Sequence, residues 1–328
     1  CWGHLETLNR CLPGRYKAPT YLMALIKRDI DNPRWTISVT INTEPYLEAP
    51  KRAGIITLVV SIFFVFICSA IIMSLLNSVR KHNLEMEAEL KTAHDMQMNL
   101  MPDKSPDLKR LNISGFCRPA TEVGGDFFQY YPKDDGRFAF VIADVTGHGM
   151  EAAIPTVLFS GILDNQIEIG VETDKLFDKL NKTLCRKLKD RTFVCCAFGE
   201  IDTESMSLRF TNGGCPYPYH YKISAQTTEE IILDALPLGV RNRTEYSFID
   251  CKLEQGDRVI FCSDGIIESH NEKEEILGFD KTKHMINRLA TSNVSAPDIV
   301  SGIMQVVGIF RGTAEQEDDQ TVVVIEVL

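Results

Sequence analysis

The chain has 328 residues, 44% of them hydrophobic, and a formal net charge of -10. That length admits one to three domains with a sizeable core. The acidic balance argues against nucleic acid as the main partner, because phosphate backbones call for a basic surface. The ten cysteines form no C-x-x-C pair and no zinc-ligand spacing, and the seven beyond residue 100 fall mostly in apolar runs such as 193–198. Those read as reduced core thiols of a cytosolic domain.

The chain begins with Cys rather than Met and reads as a fragment whose N-terminal part is missing. Residues 1–53 read as the C-terminal part of an extracytoplasmic, sensory domain; nothing in them identifies a ligand. Within them W-T-I-S-V-T (35–40) alternates like a strand, and Cys1 and Cys11 could pair as a disulfide. Residues 54–76 form an uncharged run of 23, flanked by Lys51-Arg52 and Arg80-Lys81. At about 1.5 Å per residue this run is long enough for a transmembrane helix. Basic residues at both ends leave orientation open by the positive-inside rule; the cysteine-rich second half favours a cytoplasmic C-terminus and a place in the cell (inner) membrane.

Residues 77–110 read as a helical linker. No Pro or Gly interrupts 77–101, and Leu76, Val79, Asn83, Met86, Leu90, Ala93, Gln97 and Leu100 follow three-four spacing. This is a coiled-coil register with polar Asn83 and Gln97, weak enough to suit a switch. Two readings stand side by side: a parallel homodimer through the linker, and an amphipathic helix lying on the following domain. Pro102 ends the helix. From residue 111 onward β-rich runs (138–143, 192–201, 207–211, 258–262, 321–327) alternate with helical stretches at about 150–167, 173–189, 280–291 and 296–309. Strands in series with helices in separate blocks indicate an α+β layered domain with antiparallel sheets.

Four acidic motifs punctuate this half: E-V-G-G-D (122–126), A-D-V-T-G-H-G (143–149), S-D-G (263–265) and E-D-D-Q-T (317–321). Each sets an Asp at a turn or at the end of an apolar run. Carboxylates gathered from distant segments repel one another, and a hard divalent cation bound through oxygen relieves that repulsion. One Asp-Gly turn is structurally ordinary; four such sites, three of them next to β-rich runs, point to a metal-dependent enzyme.

These strings, with F-T-N-G-G-C-P-Y-P, L-P-L-G and D-D-Q-T-V-V-V-I, resemble the metal-dependent protein phosphatases (the PPM, or type 2C, superfamily) in their order and spacing. The similarity is greatest to the bacterial RsbU/SpoIIE-like branch and covers residues 111–328. The resemblance implies a four-layer α-β-β-α sandwich of two antiparallel sheets flanked by helices, with two Mn²⁺ or Mg²⁺ ions between the sheets. Carried over by position, Asp144 would bridge both ions and the Val145 carbonyl would complete the first site. Asp264 and Asp318 would hold the second ion, and Asp126 would bind directly or through water. Asp319 stands where the wider family often has Asn and is the weaker metal candidate. The implied reaction is hydrolysis of a phosphoserine or phosphothreonine protein by a metal-activated water, with Asp126, Asp144, Asp264 and Asp318 as the catalytic set. In this branch the usual substrate is an anti-anti-sigma factor of the STAS type. Gly124, Gly125, Gly147 and Gly265 would shape the loops. His148 and Arg118 fall at spacings that match neither the family's proton donor nor its phosphate clamp, and neither is assigned a role. Two competing readings are a catalytically silent receptor module and a diguanylate cyclase. The cyclase loop needs an acid where Phe127 stands, and it leaves Asp264 and Asp318 unexplained.

Overall fold

The computed structural model describes residues 22–28, 35–41, 44–133, 135–188, 191–292 and 294–328, with side chains from residue 52 onward. Cys1 and Cys11 lie outside the described residues. The chain divides into two compact units, residues 1–83 and 84–328.

In the first unit, β1 (Leu22–Arg28) and β2 (Trp35–Ile41) form an antiparallel pair, Leu22 opposite Ile41 and Arg28 opposite Trp35. The expected alternation over 35–40 thus falls in β2. Helix α1 (Glu44–Met98) follows. Its most apolar 18-residue window has a mean hydropathy of 3.0, and none of it is buried. Among the described residues this is the one helix long and apolar enough to cross a membrane.

The second unit is built from β3 (Leu111–Arg118), β4 (Phe127–Pro132), β5 (Arg137–Val145), α2 (Met150–Glu168), α3 (Thr173–Lys187), β6 (Val194–Asp202), β7 (Ser207–Gly213), β8 (Tyr219–Lys222), β9 (Thr227–Glu230), β10 (Ile249–Lys252), β11 (Arg258–Cys262), α4 (Asp264–Ile267), α5 (Gly278–Thr291), α6 (Ala296–Arg311) and β12 (Gln320–Val327). Two five-stranded sheets result, ordered β10-β7-β6-β5-β4 and β3-β12-β11-β8-β9, with antiparallel pairing throughout. The four helical stretches anticipated from the sequence coincide with α2, α3, α5 and α6. Of the strands not singled out from sequence, β3, β4, β9 and β10 are sheet edges. An edge strand has an open ladder on one side and needs less apolar sequence, so its periodic signal is weak.

Side-chain alternation along β12 assigns the layers. Val323, Ile325 and Val327 join Val259 and Phe261 of β11 against the opposite sheet. Their neighbours Val322 and Val324 join Ile260 and Cys262 against α5 and α6. Successive side chains of a strand point to opposite faces, so an uninterrupted Val-Ile run marks a strand covered on both sides. The Phe261 ring meets Phe140 at 5.0 Å and Phe210 at 5.9 Å, stitching the two sheets together. Phe159 and Leu163 of α2, with Phe177 and Leu180 of α3, cover the far face of the first sheet. The order is helices, sheet, sheet, helices. Each fully buried Phe or Leu contributes roughly 1.5–3 kcal/mol, and the buried residues fall into two clusters, a large one that includes the space between the sheets and a smaller one under α5 and α6.

Candidate metal centre

Strand β5 lies inside its sheet between β4 and β6, which explains its unbroken apolar run. Near its end Asp144 stands opposite Cys195 of β6. Phe127, the first residue of β4, pairs with Ala143, so Asp126 enters the same end of the sheet. On the second sheet, β11 runs into Asp264 at the start of α4, and Asp318-Asp319 lead into β12, which pairs with β11. A cavity of about 20 Å³ lies between the two sheets, and both Asp144 and Asp264 line it, with Cys195, Cys215 and Phe261. That is room for roughly one water.

The carboxylates feel one another. Burial, then the charges of Asp144 and Asp319, push the Asp126 carboxyl well above its ordinary range. Burial, then Asp264, Asp318 and Asp319, raise Asp144 to about 7. Asp264 is raised by burial and then by Glu268, and Asp318 by burial and then by the charges of Asp264 and Asp319. Uncompensated, these acids oppose one another and the fold.

Asp126 is 3% exposed, and its Oδ2 has no hydrogen-bond partner. A buried carboxylate oxygen without a hydrogen-bond partner, in a group that feels the charge of other carboxylates, calls for a cation. The donor set is all oxygen, which suits hard ions such as Mg²⁺ or Mn²⁺. A Cβ on Gly125 would collide with the Val145 carbonyl oxygen and Asp144 Oδ1, so a side chain there would fill the cradle. Gly265 is required for a similar reason, since a Cβ would strike the Asp319 carbonyl where the two loops cross. The residues therefore fit a divalent metal by their donor chemistry and by the orphaned buried oxygen of Asp126. Among the described residues, no three His, Cys, Asp or Glu side chains close around one point at ligating distance.

Asp319 differs from the other four. Its Oδ1 accepts from Ala120 N–H (2.8 Å), and its Oδ2 accepts from Gly125 N–H (2.6 Å) and Asp126 N–H (3.2 Å). It ties the E-V-G-G-D loop to the start of β12.

The other side of that loop is held by a residue that spacing alone had placed in a coil seam. Gln97 is 3% exposed; its Nε2 donates to Gly124 O (2.5 Å) and its Oε1 accepts from Gly124 N–H (3.0 Å). His94 Nδ1 meets Glu122 O at 2.5 Å, and Gln129 Nε2 donates to Leu100 O at 2.8 Å. Leu90, Ala93 and Leu100 are half-buried, whereas Asn83 and Met86 are exposed. The C-terminal end of the expected seam thus lies on the second unit itself, and Gln97 is committed there. Thr156 Oγ1 of α2 and Val145 N–H both donate to Gly125 O, at 3.1 and 3.2 Å, completing the grip. Ser263 accepts from Thr321 N–H (2.9 Å) and donates to Asp319 O (3.1 Å), locking the Asp264 loop to the Asp318 loop. Gln97, Thr156 and Ser263 were not legible as site residues, because polar side chains in helices and turns are commonplace.

His148 is exposed on its loop. Arg118 donates to Gln320 Oε1 at 2.5 Å; burial and the nearby Arg311 lower its pKa.

A family model described as stage II sporulation protein E (SpoIIE) matches residues 134–328. Phosphoserine phosphatase RsbU of Bacillus subtilis is 24% identical over 188 residues, covering 57% of this chain and 56% of RsbU. Phosphoserine phosphatase RsbP of the same organism is 22% identical, covering 58% of this chain and 47% of RsbP. This chain therefore spans about half the length of these relatives. Among solved structures, the SiaA-PP2C domain of Pseudomonas aeruginosa superposes with a TM-score of 0.66 at 20% identity, covering 75% of this chain and 98% of that domain. The PP2C phosphatase domain of Bacillus subtilis SpoIIE gives 0.57 at 21% identity, covering 68% of this chain and 65% of that one. These likenesses establish the fold. Since the family model covers more than half of the residues, the chain belongs to the SpoIIE family, and its second unit has the fold of the PP2C phosphatase domains.

Proposed function

We propose that this chain is a membrane-anchored, metal-dependent protein serine/threonine phosphatase. The observation that carries the reading is the buried, unpartnered Oδ2 of Asp126 among three further carboxylates from three other loops. Asp126, Asp144, the Val145 carbonyl, Asp264 and Asp318 would hold two Mn²⁺ or Mg²⁺ ions, with Asp319 as the weaker candidate. Such ions supply Lewis-acid activation of water and neutralise charge on phosphoryl oxygens. The chain's own part is positioning. Gln97 and Asp319 both grip the Gly124-Gly125 segment and so set Asp126. Ser263 holds the Asp264 and Asp318 loops together.

Residues 1–53 belong in this reading to an extracytoplasmic sensory domain, 54–76 to the span, 77–110 to the linker and 111–328 to the cytoplasmic catalytic domain. Relatives named phosphoserine phosphatase support a phosphoserine protein as substrate. The resemblance to the RsbU/SpoIIE-like branch supports a STAS-type anti-anti-sigma regulator. The exposed upper seam (Leu76, Val79, Met86) supports a homodimer through the linker.

The test is phosphate release by the full chain in lipid nanodiscs, from p-nitrophenyl phosphate and from a phosphoserine-loaded STAS protein. Mn²⁺-dependent release that is abolished by EDTA, by Asp144→Asn and by Asp264→Asn is expected. Manganese binding absent by calorimetry, together with no release, would leave only a binding module.

A further inference from the structure

The acidic charge of this chain is unevenly spread. The stretches 179–191 and 239–245 hold eight Lys or Arg against two Asp or Glu, a net of +6, so the remainder carries -16. The fold brings the two stretches together. Asn181 Nδ2 donates to the Arg241 carbonyl (2.9 Å), and Gly239 N–H donates to Asn181 Oδ1 (2.8 Å). Lys182, Arg186, Lys187, Arg191, Arg241 and Arg243 are all exposed. Among the described residues, none of the six forms an ion pair.

The patch also borders the catalytic loop. Phe193 N–H donates to Thr146 Oγ1 (3.1 Å), and Thr146 N–H donates to the Phe193 carbonyl (3.1 Å). Arg191 therefore sits two residues from a strut on the Asp144 loop. On the other side, Val194 and Leu238 exchange backbone bonds at 2.9 and 2.8 Å, anchoring the 239–243 segment to β6 beside Cys195.

Like charges gathered on one surface repel within a Debye length of about 10 Å. An anionic partner relieves the repulsion and is steered toward the patch. We infer that the C-terminal end of α3 and the 239–243 loop form a docking surface for an acidic face of the phosphoprotein substrate, next to the catalytic loop. The inference rests on the phosphatase reading for the nature of the partner. Its place beside the Asp144 loop favours a substrate protein, since a lipid headgroup needs no such neighbour.

The test uses the full chain in phosphatidylcholine nanodiscs and two fluorescein-labelled phosphoserine peptides, one with a Glu-rich flank and one with a neutral flank. Binding is read by anisotropy. The variant carries Arg186→Glu, Lys187→Glu, Arg241→Glu and Arg243→Glu, and the same four sites changed to Ala serve if the first fails to fold. In wild type the acidic peptide is expected to bind at least about tenfold tighter at low salt, four rim pairs contributing together, with the advantage fading as salt screens them. The variant loses that advantage while hydrolysing p-nitrophenyl phosphate normally. Equal binding of the two peptides, or a preference that survives the charge reversal, overturns the inference. So does a variant whose only defect is weaker association with phosphatidylserine vesicles, which would make the patch a lipid site. If no substrate is hydrolysed yet the binding preference depends on the four residues, the phosphatase reading fails and the docking surface stands.

Discussion

Replacing Gln97 tests whether the linker helix acts on the candidate metal centre. Its side-chain amide makes a reciprocal pair of bonds with the Gly124 peptide, at 2.5 and 3.0 Å, in a buried setting. Gln97→Ala leaves the N–H and C=O of Gly124 without partners. Each stranded buried group costs about 1–3 kcal/mol, so the gripped loop loses roughly 2–4 kcal/mol after partial access of water. Gly124 is two residues from Asp126, and the intervening Gly125 N–H is shared with Asp319. Much of that loss therefore appears as freedom of Asp126. A coupling of even about 1.4 kcal/mol is tenfold in an equilibrium constant. The expected result is Mn²⁺ affinity by calorimetry at least about tenfold weaker, with smaller change in the melting of the β5–β6 core. Gln97→Glu separates geometry from hydrogen bonding, because it keeps the acceptor for Gly124 N–H but sets an oxygen against Gly124 O. It should fall between wild type and Ala. Metal affinity unchanged in Gln97→Ala, with a clear drop in thermal stability, would refute the argument and reduce Gln97 to a packing residue.

Asn83→Leu should have the opposite character, leaving Mn²⁺ affinity intact while raising dimer content in analytical ultracentrifugation, since Asn83 is exposed on the free part of the seam. With EDTA present, the catalytic unit should lose stability as pH rises from about 4 to 7. A carboxyl raised to about 7 in the fold, as Asp144 is, contributes stability fully present below its unfolded pKa and lost as pH rises through the folded one. The loss from Asp144 is at most about 4 kcal/mol, and saturating Mn²⁺ should flatten the slope; a melting temperature constant across this range contradicts the crowding of carboxylates. Gly265→Ala should cost at least about 2 kcal/mol in thermal unfolding, because its Cβ would meet the Asp319 backbone rather than a flexible side chain; unaltered stability would show that the two loops do not cross so closely.

Much of this molecule was legible from local pattern. A helix buried on one side repeats at about 3.6 residues and a strand covered on both faces shows no alternation, so α2, α3, α5, α6, β5 and β12 stood out. The edge strands did not. T-T-E-E of β9 carries no apolar face, and only its ladder to β8 makes it a strand. The Asp residues at the ends of β5 and β11 announced themselves through the turns that follow them.

What the sequence could settle was the identity and spacing of groups along one element, because periodicity reports which side of that element is apolar. It could not say which distant backbone a polar side chain would satisfy. Gln97 and Gly124 are 27 residues apart, and Asp319 and Gly125 are 194 apart. Heptad spacing placed Gln97 in a seam, and motif position placed Asp319 among the metal ligands. The stacking of the two sheets and the docking of the linker helix decided their hydrogen bonds, since a buried peptide group takes whichever partner the packed layers bring within reach.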